Sequence, residues 1–153
     1  MSHVVLMLHA LTGMLFILAT VWVYVEVLNV SEANLKRIRA MSWAATVLMW
    51  ITIFVGGYWY VVDFAKDRGI ILKGPWPFAH TFFMETKEHI VFILLLLATL
   101  LPAVASSDLL ASKSARKLTL WVCGLIVVIG IGMEGAGAII AMGAKVGLLP
   151  ASY

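Results

Sequence analysis

Long apolar runs separated by short polar segments dominate the chain. A helix needs about 20 mostly apolar residues to cross the hydrocarbon core of a membrane, and four runs reach that length. None of them alternates apolar and polar residues as the strands of a membrane β-barrel do. The pattern therefore predicts four transmembrane helices, over residues 4–30, 41–62, 78–101 and 118–142.

The connectors between these spans predict how they are arranged. Short connectors favour antiparallel neighbours, so we predict one all-α transmembrane domain over residues 1–153, an up-down-up-down four-helix bundle. The longest connector, residues 63–76, contains Gly74 and Pro75, which break helices. Pro77 is expected to open the third span, and Pro102 to end it.

Composition and charge support a membrane protein and set its orientation. The chain is 63% hydrophobic and 12% charged, which leaves too few polar residues to cover a soluble fold of this size. The net charge is +3, and the basic residues form no stripe, so we expect no nucleic-acid partner. The expected partner is the lipid bilayer. The connectors after spans one and three carry a mild excess of basic residues: Lys36, Arg37, Arg39, Lys113, Arg116 and Lys117. Because such residues stay on the cytoplasmic side, we predict a bacterial inner-membrane protein with both termini outside.

The histidines and several carboxylates gather toward the predicted outer face. Ionisable groups inside a membrane are costly, so such a cluster is a functional hypothesis by default. Its members begin spans one and three or lie in the second half of span four: His3, His9, His80, Glu85, Glu88, His89 and Glu134.

Helical periodicity refines this cluster. On span three, one broad face holds Thr81, Glu85, Glu88, His89, Phe92, Leu96 and Thr99. Glu85 and His89 are four residues apart and can touch. Gly13, one turn below His9, leaves room for a flat group or for a closely packed helix. Glu134 lies on a small-residue face and is expected to pair with His9, His89, Lys87 or an ion.

The run Leu8-His9-Ala10-Leu11-Thr12-Gly13, with a second histidine on another span, resembles small membrane-bound b-type cytochromes with four-helix cores. The resemblance implies haem b between spans one and three near the outer face, with His9 and His89 as iron ligands. It also implies that Gly13 lines the ring. Glu85 and Glu134 join the candidate cofactor-binding residues because of their predicted positions on spans three and four. The implied function is electron transfer with quinol or an external electron carrier.

Three other hypotheses stay open. The first is a zinc, iron or copper ion held by histidine and carboxylate ligands. The second is a cofactor-free accessory subunit of a membrane complex, in a homo- or hetero-oligomer. The third is a small transporter or proton conductor using Glu85, Glu88 and Glu134. The chain has no nucleophile–base arrangement, phosphate loop or dinucleotide fingerprint, so enzymatic activity would need a cofactor. The metal ligands would be drawn from His9, His80, Glu85, Glu88, His89 and Glu134.

Overall fold

The computed structural model describes residues 2–149, with side chains from Val4 onward. All regular structure in this part of the chain is helical. Its elements are α1 (Ser2–Leu28), α2 (Leu35–Val62), α3 (Phe64–Lys73), a π-helical segment (Ala79–Met84), α4 (Glu85–Ala105) and α5 (Lys113–Gly147).

Four helical stretches within the described residues are long and apolar enough to cross a membrane, as the hydrophobic pattern predicted. The protein is therefore an integral membrane protein. The helices extend beyond the apolar runs, since α2 begins at Leu35 and α5 ends at Gly147. Hydrophobicity marks the part of a helix that lies in lipid, whereas charged residues can continue the helix into the interface. The candidate spans are Val4–Leu28, Leu35–Val62, Ala79–Ala105 and Lys113–Gly147.

The connector between the second and third spans contains a helix that the sequence analysis did not predict. This helix, α3, buries Phe64 and Ile71 and carries Asp67 in its first turn and Lys73 in its last turn, charges that suit the helix dipole. Gly74 then ends it. A Cβ on Gly74 would lie 2.9 Å from the Cα of Gly147, so the end of α3 lies directly against the end of α5.

The sequence analysis predicted that Pro102 ends the third span, but α4 continues to Ala105. Proline lacks an N–H group, so the carbonyl of Ala98, four residues earlier, loses its partner within the helix. The Thr46 hydroxyl donates to this oxygen at 2.6 Å. Inside a membrane, a freed carbonyl needs such a partner, and α2 supplies it.

Packing between the helices places α1 and α4 on opposite sides. Both helices pack against α2 and α5, but α1 and α4 make no direct contact over the described residues. The core between them contains Phe16, Val23, Ala45, Leu101 and Ile126. Side chains of all four spans thus fill this part of the interior.

A polar cluster closes the α1–α2 connector at the end with the basic residues. The Nδ2 group of Asn34 donates to Glu26 Oε2 at 2.7 Å, and Asn34 Oδ1 accepts from Ser31 N at 2.8 Å. Arg37 Nε also donates to Glu26, to Oε1 at 3.1 Å. We call Glu26, Asn34 and Arg37 the connector cluster.

Candidate functional site: a polar cluster inside the bundle

The Glu/His face of the third span points away from the bundle. Glu85 and His89 are both exposed, and they line an open groove on the outside of α4. His89 Nδ1 donates to the main-chain oxygen of Glu85 at 2.6 Å, so its partner is a carbonyl and not the Glu85 carboxylate. Glu88 accepts a hydrogen bond from Tyr60 at 2.8 Å. The structure therefore does not bring His89 and His9 together inside the bundle.

Lys87 is the ionisable residue of α4 that points inward. It is partly buried, and its Nζ donates to the main-chain oxygen of Met133 on α5 at 3.0 Å. A Cβ on Gly137 would lie 3.3 Å from this Nζ. The bare backbone at Gly137 therefore lets the ammonium group reach α5.

His9 on α1 makes the same kind of contact with α2. Its Nδ1 lies 2.9 Å from the main-chain oxygen of Thr52, and since a carbonyl can only accept, Nδ1 donates. A Cβ on Gly56 would lie 2.5 Å from His9 Cε1 and Nδ1. Only a glycine at position 56 leaves the imidazole ring this space. The donation from Nδ1 leaves Nε2 as the nitrogen that can accept a proton or bind a metal.

Glu134 on α5 completes the series by lying against α1. A Cβ built on Gly13 would overlap the Oε1 atom of Glu134. The space beside Gly13, which the resemblance assigned to a porphyrin ring, is therefore occupied by the Glu134 carboxylate. The contact agrees with the other expectation for Gly13, which was that a neighbouring helix packs closely against it.

One geometric rule explains the two donor contacts. A helical side chain leans toward the amino terminus and covers the preceding turn. A glycine four residues after a carbonyl thus uncovers that carbonyl. Met133 and Gly137 are related in this way, and so are Thr52 and Gly56. Each donor reaches a main-chain oxygen of the neighbouring helix through such an uncovered site.

Two buried threonines connect α1 and α2 beside these groups. The Thr52 hydroxyl is 2.9 Å from the Thr12 hydroxyl and 2.8 Å from the main-chain oxygen of Leu48. Thr12 in turn donates to the oxygen of Leu8 at 2.9 Å. The methyl group of Thr52 lies 3.6 Å from the position of a Cβ on Gly13, so the Thr52 side chain lies beside Gly13.

Together these residues form one polar cluster to which every membrane span contributes. Lys87 interacts electrostatically with Glu134 and with His9. No hydrogen bond or ion pair within 4 Å engages the Glu134 carboxylate among the described residues. We call His9, Lys87 and Glu134, with Thr12 and Thr52, the bundle cluster.

His80 lies apart from these contacts. It is 5% exposed, and its ring packs against Phe64 at a centroid distance of 5.7 Å. Its Nδ1 atom is buried and has no hydrogen-bond partner in the described part of the chain. The side chain of His3 lies outside the described residues.

No group of three or more His, Cys, Asp or Glu residues able to hold a metal ion occurs among the described residues. The zinc, iron and copper hypotheses therefore gain no support. The single cysteine, Cys123, is buried within the core.

Sequence reasoning identified part of the bundle cluster. His9, Gly13 and Glu134 were candidates, and Lys87 was one of the expected partners of Glu134. Thr52, Gly56 and the use of Gly137 were missed. A sequence signal for them is a glycine inside a membrane span near the depth of an ionisable side chain on a neighbouring span. Such a glycine uncovers the carbonyl four residues before it.

Comparison of the chain with protein-family models, with curated proteins and with solved structures gives no match.

Proposed function

We propose that this protein is an up-down-up-down four-helix bundle that binds and transfers protons at its bundle cluster, on the outer side of the membrane. Three ionisable side chains from three spans carry the proposal. Lys87 of α4 reaches α5 at Gly137, Glu134 of α5 reaches α1 at Gly13, and His9 of α1 reaches α2 at Gly56. The groups thus follow one another around the bundle.

Energetic cost supports a functional role for this arrangement. Charged and titratable groups inside a membrane are rare, and where they occur they mark proton relays, ion pathways or counter-ions. The hydroxyl groups of Thr12 and Thr52 join α1 and α2 in the same cluster, and a hydroxyl can both donate and accept a hydrogen bond. Such a group can pass a proton from one neighbour to the next.

The tightness of the contacts favours protons over larger solutes. The Glu134 carboxylate fills the space that a Cβ of Gly13 would take, and the His9 ring fills the space beside Gly56. A proton needs no room beyond the hydrogen-bonding atoms themselves. The proposal keeps Glu134 from the sequence-based conductor hypothesis. It replaces Glu85, which is exposed, and Glu88, which accepts from Tyr60, with Lys87 and His9.

The test is proton flux into liposomes that contain the purified protein and an entrapped pH-sensitive dye, driven by a potassium diffusion potential. We expect flux in the wild type and its loss in Glu134→Gln. Glu26→Gln is the matched control, because it neutralises the carboxylate of another membrane span outside the bundle cluster and is expected to keep the flux. Wild-type vesicles that behave like protein-free vesicles would contradict the proposal.

Haem-based electron transfer is the second candidate, favoured by one observation. The Nδ1–H group of His9 donates to a main-chain carbonyl, as the outer nitrogen of a metal-ligating histidine usually does. His89 lies on the exposed face of α4, so the second iron ligand would have to come from another source.

An absorption spectrum after expression with sufficient haem tests this candidate. A Soret band that His9→Gln removes would support haem at His9, and a colourless wild-type protein would remove the candidate. A colourless protein without proton flux would favour the accessory subunit, whose polar cluster serves structure alone.

A further inference from the structure

The outward face of α4 carries a regular stripe of exposed residues. The stripe consists of Glu85, His89, Phe92, Leu96, Thr99 and Ala103, and every member is exposed. Their spacings of four and three residues follow the heptad repeat by which two helices pack along a common seam. Since α4 contacts its own chain through α2, α5 and the π-helical segment, this seam is free. We call it the α4 seam.

Two residues of the α4 seam have ionisable side chains, which are unfavourable in contact with lipid. Glu85 and His89 lie within a candidate membrane span, where ionisable side chains rarely face lipid. The only hydrogen bond that either side chain makes among the described residues joins His89 Nδ1 to the oxygen of Glu85. The Glu85 carboxylate and His89 Nε2 are therefore both available to a partner.

We propose that a second copy of this chain packs against the α4 seam, with Glu85 of each copy paired to His89 of the other. Copies inserted in the same orientation are related by an axis along the membrane normal, which makes their α4 helices parallel. In a parallel pair, a seam residue fits among partner residues that include the next seam position one turn on. Glu85 of one copy then meets His89 of the other, and the two-fold axis repeats the contact.

The rest of the α4 seam suits the same partner. Phe92 and Leu96 are 65% and 71% exposed and supply apolar contact along the middle of the helix. Ala103 is small, which permits two helix backbones to approach closely near the other end. The polar pair and the small residue thus lie at opposite ends of one continuous contact.

Disulfide cross-linking in native membranes tests the contact. In a Cys123→Ala background, Leu96→Cys places a thiol on the α4 seam, and Val128→Cys places one on α5 as the control. The two native side chains are equally exposed, at 71% and 72%. Under mild oxidation we expect a cross-linked product of twice the chain mass from Leu96→Cys and none from Val128→Cys. Equal cross-linking of both, no product from Leu96→Cys, or a product of another mass would overturn the proposal.

An exchange of the polar pair tests the chemistry of the same contact. Both variants are made in the Leu96→Cys background. Over the two copies, Glu85→His places histidine at all four of the paired positions, and His89→Glu places a carboxylate at all four. Both single variants are expected to lose the cross-link, whereas the double variant Glu85→His/His89→Glu restores opposite partners and the cross-link. Single variants that cross-link like the parent, or a double variant that does not recover, would show that the pair does not join two copies.

Discussion

Glu26 and Glu134 are two glutamates inside membrane spans, and their surroundings are opposite. Glu26 accepts hydrogen bonds from Asn34, Arg37 and Trp22, at the end of α1 where the chain leaves the membrane. Glu134 lies against Gly13 with Lys87 as its electrostatic partner. The Glu26 carboxylate accepts hydrogen bonds from fixed neighbours, whereas the Glu134 carboxylate accepts none from the described residues.

This difference separates a structural cluster from a candidate functional one. The connector cluster fixes a short loop, because Asn34 and Arg37 both donate to the Glu26 carboxylate across the α1–α2 connector. The bundle cluster joins different spans through contacts that need glycine at defined positions. A carboxylate without tight partners can change its protonation state or its partner at lower cost, which is what proton transfer requires.

The largest effect is expected from removing the cation of the bundle cluster. Lys87→Met removes the charged donor to the Met133 carbonyl and the cation that interacts with Glu134, and loss of a hydrogen bond from a charged group costs up to about 3 kcal/mol. Adding Glu134→Gln should recover part of this loss, since it removes the carboxylate that Lys87→Met leaves without a cation. The measurement is equilibrium unfolding in mixed detergent micelles, followed by circular dichroism. Additive losses in the double variant would show that the two residues do not interact.

In the connector cluster, the uncharged residue should matter more than the exposed cation. Asn34 is 5% exposed, and Asn34→Ala leaves buried polar groups unpaired, at a cost of about 2 kcal/mol. Arg37→Met should change the unfolding free energy little, because the Arg37 side chain is 60% exposed and ion pairs of exposed side chains contribute little. Neither variant should alter proton flux in liposomes. A loss of flux in Asn34→Ala at a temperature where the protein stays folded would remove the separation between the two clusters.

A smaller effect is expected from the threonine pair. Thr52→Val removes the hydroxyl that bridges to Thr12 and should destabilise the protein by about 1 kcal/mol. Thr81→Val is the matched control, since Thr81 is exposed and, among the described residues, bonds only to the main-chain oxygen of Pro77, four residues earlier. Equal unfolding free energies for the two variants would mean that the bridge between α1 and α2 contributes nothing.

The smallest change in stability, with the sharpest change in function, is expected at the glycines. Gly57 has open space at its Cβ position, so Gly57→Ala should stabilise α2 by up to about 1 kcal/mol. Gly13→Ala gains the same helix propensity but displaces the Glu134 carboxylate. We therefore expect Gly13→Ala to fold and to lose proton flux, while Gly57→Ala keeps it. Normal flux in Gly13→Ala would show that the position of the carboxylate is unimportant.

Parts of the fold and of the site could be predicted from the sequence for identifiable reasons. The four spans followed from run length, because lipid requires long apolar helices. Glu134 was expected to face inward, and it does lie against α1. The helix α3 was missed because a Gly- and Pro-containing connector resembles a loop, and its two buried residues, Phe64 and Ile71, give too short an apolar pattern.

The sequence alone determined that this protein has four helices long and apolar enough to cross a membrane. Only the tertiary structure decided which face of α4 points inward, so that Lys87 enters the bundle while Glu85 and His89 remain outside. The physical reason is that lipid is as apolar as leucine, so hydrophobicity does not distinguish the buried face of a membrane helix from its lipid-facing one. The rotation of each helix is set instead by close contacts such as those at Gly13, Gly56 and Gly137.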